Sequence, residues 1–446
     1  MALSSDHHLI LGLLSDRGTA TAAELGAATG KSQPTVSRLL AHMGPQIVKL
    51  GKARATRYGA PKSIHGRPAQ HTVWWTDEQG GRTNVGTLTY LANETVYVES
   101  RQLGDYAGEL LPWYLTTLRA EGFLGRIAAR ALATLGVESE PERWSLETIL
   151  YAALQVHDAP GAITLGFQDD GGQRLRLAAD RIDEQLDAAA ETVATTLPAG
   201  SSAGGEQPKF LAQLEDRGPV IVKFSPPLDT PGGRRWSDLL YAEQLASSTL
   251  ARHGLAAAGA QMRQTAQRAY LISERFDRIA ATGRRHVVSI GNAHRAFVHG
   301  VYRNWAESCE ALASRGSLAR EDADRARTLL DFGRLIGNTD MHSGNLALFV
   351  QLQDVRKGRF RLAPVYDMLP MRWRPDARSG GVAEYTRFAP DGGALASPAA
   401  PMAREFWQAL AALPAVSRKL RTVAGQMVDT IQEQAPLAAL GQGPRG

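Results

Sequence analysis

The feature that most constrains the fold is a polar loop, residues 337–345, followed at once by an apolar run, Leu346 to Val350. The loop carries Asp340 and, five positions later, Asn345; a further acidic residue in apolar surroundings, Asp367, lies 27 residues beyond Asp340. One carboxylate can orient a hydroxyl group and accept its proton, while an amide oxygen and a second carboxylate are hard ligands suited to magnesium. The pattern therefore favours phosphoryl transfer at a magnesium-bound phosphate, as in a kinase.

Length and composition define the class of protein. With 446 residues, of which 43% are hydrophobic and 21% charged, the chain is long enough for two or three domains with a large core. No apolar run reaches the length that crosses a bilayer, and the N-terminus lacks the basic and apolar blocks of a signal peptide. The single cysteine, Cys309, excludes an internal disulfide framework. We therefore expect a cytoplasmic protein with no membrane partner. Cys309 is expected to be a packing residue.

The N-terminal segment has the spacing of a helix-turn-helix. Apolar residues from Leu9 to Leu14 predict a first helix, and Thr21 with Glu24 three positions later gives the capping-box pattern of a second. A third helix is predicted after Ser32, and residues 47–58 then read as two short strands joined by a basic turn. These features predict a small winged helix-turn-helix domain over residues 1–62.

The charged residues from position 31 onward in this segment are all basic. From Lys31 to Arg67 there are eight lysines and arginines and no Asp or Glu, which favours double-stranded DNA as a partner. Basic groups in the wing suit phosphates, and polar groups at the start of the third helix suit base edges. The predicted DNA-binding residues are Gln33, Thr35, Ser37, Arg38, Lys52, Arg54 and Arg57. The alternative is a solvated basic surface that contacts protein.

Residues 63–198 carry a weaker signal. Apolar alternation between turn residues predicts a small β-sheet followed by helices. The strands are expected near residues 72–75, 85–90 and 95–98, and the helices near residues 112–118, 124–135 and 145–154. The acidic segment 181–196 is expected to be a helix that serves as a connector. We assign no chemistry to this region.

A glycine-rich segment opens the next region, residues 199–278. Small residues precede a strand here, so that the backbone amides of Ala203, Gly204 and Gly205 can approach phosphate oxygens. The segment matches neither the Walker pattern nor the common kinase glycine-rich loop, and an ordinary surface turn is the alternative.

An apolar strand with one lysine, Lys223, follows the glycine-rich segment. A lysine in a buried strand is costly without an anionic partner. We predict that Lys223 binds nucleotide phosphates and that Glu243, on the following helix, pairs with it. The alternative is an edge-strand lysine that faces solvent.

Two further patterns bear on the kinase hypothesis. Residues 269–278 predict a strand with a charged exit, typical of a hinge between two lobes, and Phe276 suits a position beside adenine. Residues 331–333 spell Asp-Phe-Gly, the metal-binding tripeptide of protein kinases, but they precede Asp340 and fall within a helical pattern. We interpret this match as a coincidence, with Asp331 on the helix surface, and assign the metal-binding role to Asp367.

As a set, these motifs resemble the HipA-type serine/threonine kinases, the toxin halves of bacterial toxin–antitoxin systems. The motifs are the glycine-rich segment, Val222-Lys223, the hinge at residues 274–278, Asp340-x-His342-x-x-Asn345 and Tyr366-Asp367. The resemblance runs from about residue 96 to the C-terminus, and the extra helix-turn-helix is similar to the YjjJ branch. It implies an α+β, two-lobed protein-kinase-like fold, with the N-lobe core in residues 199–278 and a helical C-lobe in residues 279–446.

The resemblance also implies roles for single residues. Asp340 corresponds to the catalytic base, and Asn345 and Asp367 correspond to the magnesium ligands. The implied ATP-binding residues are the glycine-rich loop with Lys223, Glu274, Phe276 and His342. His342 is expected to orient the catalytic loop and not to act as the base. Ser201, with Ser202 as the alternative, resembles the serine whose autophosphorylation displaces the glycine-rich loop and inactivates the kinase.

The sequence therefore predicts an ATP- and Mg²⁺-dependent serine/threonine protein kinase with a fused DNA-binding domain, inhibiting growth and regulating itself. A homodimer is a further hypothesis, since helix-turn-helix proteins often bind paired half-sites. Two alternatives stay open: a small-molecule kinase, and a transcriptional regulator whose inactive kinase fold senses nucleotide.

Overall fold

The computed structural model describes residues 4–51, 56–155, 158–166, 175–196, 207–376 and 379–441. The chain divides into two compact units. The first comprises Met1–Glu121, Ala128–Gly172 and Gln351–Lys357, and the second comprises Gly122–Ile127, Gln173–Val350 and Gly358–Gly446. None of the helices in the described ranges combines the length and the apolar character needed to cross a bilayer.

The first unit begins with three helices and a three-stranded antiparallel sheet. The elements are α1 (Ser5–Arg17), β1 (Thr19–Ala20), α2 (Ala22–Thr29), α3 (Gln33–His42), β2 (Val48–Leu50) and β3 (Arg57–Gly59), with sheet order β1–β3–β2. The predicted capping box starts α2: Thr21 Oγ1 accepts from the amide of Glu24, whose carboxylate accepts from the amide of Thr21. Leu25, Val36 and Leu40 share one buried cluster, which fixes α2 against α3. Strand β1 was not predicted, because two residues carry no periodicity.

The rest of the first unit is built on a five-stranded antiparallel sheet of order β7–β6–β5–β4–β8. Its elements are β4 (Gln70–Thr76), β5 (Arg82–Leu91), β6 (Thr95–Glu99), β7 (Tyr106–Gly108), a 3-10 helix (Trp113–Leu118), α5 (Leu146–Ala153) and β8 (Ile163–Leu165); α4 (Gly122–Ala133) crosses the division between the units. The three predicted strands are confirmed. Val73, Leu88 and Val98 point inward and are fully buried, as the alternation requires.

The second unit opens with a five-stranded sheet of order β12–β13–β11–β10–β9. Its elements are β9 (Arg176–Leu177), α6 (Ile182–Thr196), β10 (Lys209–Leu214), β11 (Gly218–Phe224), α7 (Pro231–Arg252), β12 (Ala260–Gln264) and β13 (Ala269–Glu274). Helix α6 is not a mere connector. It buries Leu186 and Ala190 in the same cluster as Val222, and Asp187 accepts from the hydroxyl of Tyr270. The connector interpretation is wrong because α6 packs on the sheet, where Asp183 pairs with Arg263 of β12 and Glu191 pairs with Arg268 next to β13.

The remaining part of the second unit is mostly helical. Its elements are β14 (Arg278–Ile279), β15 (Gly283–Arg284), β16 (Val287–Ser289), α8 (Ile290–Phe297), α9 (Trp305–Ser314), α10 (Arg320–Leu335), β17 (Ala347–Phe349), β18 (Arg361–Leu362), α11 (Gly392–Leu395), α12 (Ala399–Ala412) and α13 (Arg418–Gly441). Phe332 of α10 packs edge-on against Phe406 of α12, and the indole of Trp407 donates to the carbonyl of Leu335. Cys309 is fully buried in α9, which confirms its packing role.

The Asp-Phe-Gly tripeptide lies inside α10, as its helical pattern predicts. Asp331 is not on the helix surface, however: it is only 9% exposed, and its carboxylate lies 3.5 Å from the guanidinium of Arg334. Gly333 has a packing role, since a Cβ atom there would lie 2.2 Å from the sulfur of Met341. The glycine therefore lets the loop after α10 lie directly against the helix.

Candidate active site

The polar loop begins at a Schellman motif that ends α10. Gly337 adopts φ of +76°, a left-handed conformation that glycine accepts without strain. Its amide donates to the carbonyl of Arg334, and the amide of Asn338 donates to that of Gly333. The loop is thus anchored to a buried helix at one end and to the buried strand β17 at the other.

Within the loop, Asp340 and Asn345 lie on one tight turn. The side-chain amide of Asn345 donates to the carbonyl of Asp340 over 2.8 Å, which leaves the amide oxygen for other partners. His342 Nδ1 accepts from the amide of Gly344 at 3.0 Å, and the His342 carbonyl accepts from the indole of Trp305 at 2.9 Å. The contacts of His342 therefore hold the shape of the loop. Among the described residues, the Asp340 carboxylate has no hydrogen-bond or ion-pair partner, and its backbone alone bonds to Asn345 and Asn338.

Asp367 lies on a second loop that is bonded to the first. The hydroxyl of Tyr366 donates to the carbonyl of Gly344 over 2.6 Å. Asp367 itself has φ of +55°, which costs an L-residue roughly 1–2 kcal/mol. This conformation turns the Asp367 carboxylate toward β11 and its lysine.

Lys223 lies between two carboxylates. Its ammonium group contacts Glu243 on α7 and lies 2.5 Å from Asp367 Oδ1. The Lys223, Glu243 and Asp367 side chains are 7%, 8% and 27% exposed, so the solvent-facing alternative for Lys223 is wrong. Burial lowers the pKa of Lys223, but Asp367 and Glu243 outweigh burial and hold it above its ordinary value. Lys223 is therefore a charged group in a mostly buried site.

A second lysine, Lys209, completes the charge balance. It lies directly opposite Lys223 in the β10–β11 hairpin. Burial raises the pKa of Asp367, but Lys223 and Lys209 outweigh it and lower that pKa to about 2. Burial raises the pKa of Glu243. Lys209 was not predicted as a site residue. Its position opposite Lys223 in the register of the hairpin is the signal that identifies it.

The predicted hinge residues have different surroundings. The ring of Phe276 packs 5.6 Å from that of Tyr366 and 5.9 Å from that of Phe349, which places it next to the Asp367 loop. Glu274 ends β13 and is exposed. Its carboxylate lies beside Gly259, where a Cβ atom would come within 2.8 Å of an oxygen. Phe276, the aromatic residue of the predicted hinge, therefore lies in the same region as the loop that carries Asp367.

The donor groups fit magnesium held jointly with phosphate. In the described ranges, no group of three or more His, Cys, Asp and Glu side chains is arranged to hold a metal ion. Magnesium bound with nucleotide needs only one or two protein oxygens, because phosphates and water supply the rest. Asn345 and Asp367 have side-chain oxygens that could hold magnesium in this way, and Lys209 and Lys223 carry charge of the sign that could offset phosphates.

The remaining predicted site residues fall outside this region or outside the described residues. Seven of the predicted site residues lie outside the described residues: Ser201, Ser202, Ala203, Gly204, Gly205, Lys52 and Arg54.

In the N-terminal helices, Gln33, Ser37 and Arg38 are exposed on α3, and Thr35 contacts the hydroxyl of Ser32 at 2.9 Å. Arg57, which the sequence predicts to bind DNA, has a guanidinium group that donates to Thr19 and lies 3.4 Å from Glu24.

Comparisons with known proteins agree with this geometry. The HipA-like C-terminal domain family matches residues 201–435, and the YjjJ-like toxin middle domain family matches residues 67–169. Toxin YjjJ of Escherichia coli strain K12 is 32% identical over 437 residues, which cover 94% of this chain and 96% of the relative. A chain of the Shewanella oneidensis MR-1 complex of HipA, HipB and operator DNA has a similar fold, with a TM-score of 0.51, 15% identity and coverage of 83% of this chain and 97% of that chain. The chain has a HipA-like fold and belongs to the HipA-like toxin family, in its YjjJ-like branch.

Proposed function

We propose that this chain is an ATP- and Mg²⁺-dependent serine/threonine protein kinase of the HipA toxin type. The observation that carries the proposal is the convergence of Lys223, Asp367 and the Asp340–Asn345 turn, which the fold assembles from three separate parts of the chain. Phosphoryl transfer depends mainly on positioning and on electrostatic stabilisation. The candidate site offers the groups that this requires, namely two lysines, the Mg²⁺-suited side-chain oxygens of Asn345 and Asp367, and the carboxylate of Asp340.

In the proposed mechanism, Asp340 orients a Ser or Thr hydroxyl of a protein substrate and accepts its proton. The hydroxyl oxygen forms a bond to the γ-phosphorus of ATP, and the bond to the β-phosphate oxygen breaks, leaving ADP. Lys223 and Lys209 hold the phosphates and offset their charge. Asn345 and Asp367 would hold magnesium, which supplies further positive charge at the phosphates. Phe276 and Glu274 would border the adenine, and His342 keeps the loop in shape.

Regulation is proposed through the glycine-rich segment. Its residues Ala203, Gly204 and Gly205 would enclose the phosphates, and autophosphorylation of Ser201, or of Ser202, would remove the loop from that position. The phosphorylated chain would then be inactive. A chain of this kind would limit its own kinase activity and, with it, its own inhibition of growth.

The N-terminal helices and sheet are proposed to be a winged helix-turn-helix that binds double-stranded DNA. The exposed side chains at the start of α3 support this proposal, because such a helix can reach base edges in the major groove. The related solved complex contains operator DNA. Lys52 and Arg54 would add phosphate contacts, and a homodimer would bind paired half-sites. Since ATP and operator DNA are both inside the cell, the proposed function requires a cytoplasmic protein.

Labelling with γ-labelled ATP tests the kinase proposal. The wild-type chain is incubated with Mg²⁺ and with a lysate of its host, and the label is traced by phosphoamino-acid analysis. Phosphoserine or phosphothreonine that disappears with EDTA supports the proposal. If the label appears only in low-molecular-weight acceptors, a small-molecule kinase replaces the protein-kinase proposal. Tight ATP binding without turnover, with DNA affinity that depends on ATP, would replace it by a nucleotide-sensing regulator.

A further inference from the structure

Asn338 occupies a buried position between the two loops of the candidate site. It follows the left-handed Gly337 in the Schellman motif, so its backbone direction is set by the end of α10. Its side chain is enclosed, with the residue only 5% exposed. A buried amide needs partners for both its oxygen and its nitrogen.

Each end of the Asn338 amide bonds to a different loop. Its Oδ1 accepts from the backbone amide of Asp340 at 3.0 Å. Its Nδ2 donates to the backbone carbonyl of Asp367 at 3.3 Å and lies 3.6 Å from the sulfur of Met368. One planar side chain thus joins the backbone of the candidate base to the backbone of the candidate magnesium ligand.

The bond to Asp367 has a particular consequence. Asp367 is held in the left-handed region, where a non-glycine residue persists only if its surroundings enforce that conformation. The carbonyl that Asn338 binds belongs to this strained residue, so the bond helps to fix the direction of its carboxylate. The contact of that carboxylate with Lys223 depends on the same orientation.

We propose that Asn338 is a positioning residue that sets the spacing between Asp340 and Asp367. This inference rests on the proposed function of those two residues. Asn338 does not touch the reacting atoms in this scheme. It acts through the backbone of both loops, and no shorter or purely accepting side chain can make both bonds.

Two substitutions separate the two bonds. Asn338→Asp keeps an oxygen for the Asp340 amide, but at neutral pH its carboxylate has no donor for the Asp367 carbonyl. Asn338→Ala removes both bonds. Met368→Leu is the matched control, because it replaces the sulfur beside Asn338 with a side chain of similar volume and leaves both amide bonds in place.

The main measurement is the Mg²⁺ concentration that gives half-maximal binding of a non-hydrolysable ATP analogue. Binding of the analogue is monitored through the thermal shift of the protein. Loss of the bond to Asp367 in either variant is expected to raise this concentration roughly tenfold, the factor that corresponds to one buried hydrogen bond. Met368→Leu should match the wild type. Unchanged Mg²⁺ dependence in both Asn338 variants, with normal folding, would overturn the proposal.

Hydrogen exchange at the Asp340 amide gives a second readout that needs no nucleotide. Protection should persist in Asn338→Asp and fall in Asn338→Ala, because only the alanine variant lacks an acceptor for that amide. If Asn338→Ala does not fold, the aspartate variant alone decides through its Mg²⁺ dependence. A wild type that binds Mg²⁺ and the analogue but transfers no phosphate would end the kinase proposal and leave the role of Asn338 measurable.

Discussion

Lys223 and Asp367 lie 144 positions apart in the chain, yet only 2.5 Å separates Lys223 Nζ from Asp367 Oδ1. The same ammonium group contacts Glu243, so a strand, a helix and a loop meet at one cation. Each partner is provided by a different element, and none of the three could be buried in charged form alone. The site is therefore assembled by three separate elements of the second unit.

Replacing Lys223 by Met should destabilise the second unit strongly. The substitution leaves Glu243 and Asp367 facing each other without a cation, and removal of one partner of a buried ion pair costs about 3–5 kcal/mol. The free energy of unfolding, measured by urea titration at pH 7, should fall by this order. The double variant Lys223→Met, Glu243→Gln is the control, since it removes one of the opposed charges and should recover part of the loss. Equal stability of the wild type and the single variant would contradict the buried pair.

Stability should depend on pH through Asp367. Its pKa of about 2 in the folded protein lies below the usual value of about 3.9 for an unfolded chain. The carboxylate therefore stabilises the fold above about pH 4, and this stabilisation is lost as the pH falls through about 2. The difference in unfolding free energy between the wild type and Asp367→Asn should shrink by on the order of 2 kcal/mol between pH 5 and pH 2. A difference that stays constant across that range would contradict the ion pair.

Helix α7 is fastened to the segment that follows Asp367. The Arg235 guanidinium donates to the carbonyls of Trp373 and Ala383 and lies 3.8 Å from the ring centre of Tyr385. The Tyr385 hydroxyl donates to Asp238 over 2.8 Å.

Tyr385→Phe should therefore lower the free energy of unfolding by about 1 kcal/mol, because the Asp238 carboxylate loses one donor. Tyr241→Phe on the same helix is the matched control: its exposed hydroxyl lies 3.3 Å from Gln264, and its loss should have almost no effect. Thermal or urea unfolding distinguishes the two variants, and equal losses would show that the bond to Asp238 is unimportant.

The sequence was most informative where chemistry is local. The capping box of α2 was predicted from spacing within a few residues and is confirmed. Asp340 and Asn345 were selected in the same way, and the structure places them on one turn. The family and the fold were also predicted correctly. Lys209 and Asn338 were missed because their surroundings depend on strand register and on a bridge between distant loops.

Two interpretations failed for the same physical reason. The acidic helix α6 and the buried position of Asp331 both depend on tertiary partners that periodicity does not specify. The sequence shows which residues are charged, but whether those residues are buried depends on the side chains that pack against them in the fold.

The proposed DNA binding should respond differently to the replacement of two arginines in the N-terminal helices and sheet. Arg38 is exposed on α3, whereas Arg57 already bonds to Thr19 and Glu24. Arg38→Gln should reduce the slope of log affinity against log salt by about one, the effect of one phosphate contact, or relax the choice of sequence if Arg38 reads a base. Arg57→Gln is the control with little expected change. The measurement is fluorescence anisotropy with the chain's own promoter at several salt concentrations; unchanged affinity and selectivity in Arg38→Gln would remove α3 from the interface.

The role of Asp340 is the central claim, and single-turnover phosphoryl transfer in wild type and Asp340→Asn tests it most directly. The variant keeps the shape of the side chain and the backbone bonds to Asn338 and Asn345, but loses the carboxylate that is proposed to accept the proton. We expect the transfer rate to fall by about 10²–10⁴-fold, the usual contribution of a general base, with Mg²⁺-dependent ATP binding retained. Transfer at the wild-type rate in Asp340→Asn would contradict the assignment of Asp340 and, with it, the proposed mechanism.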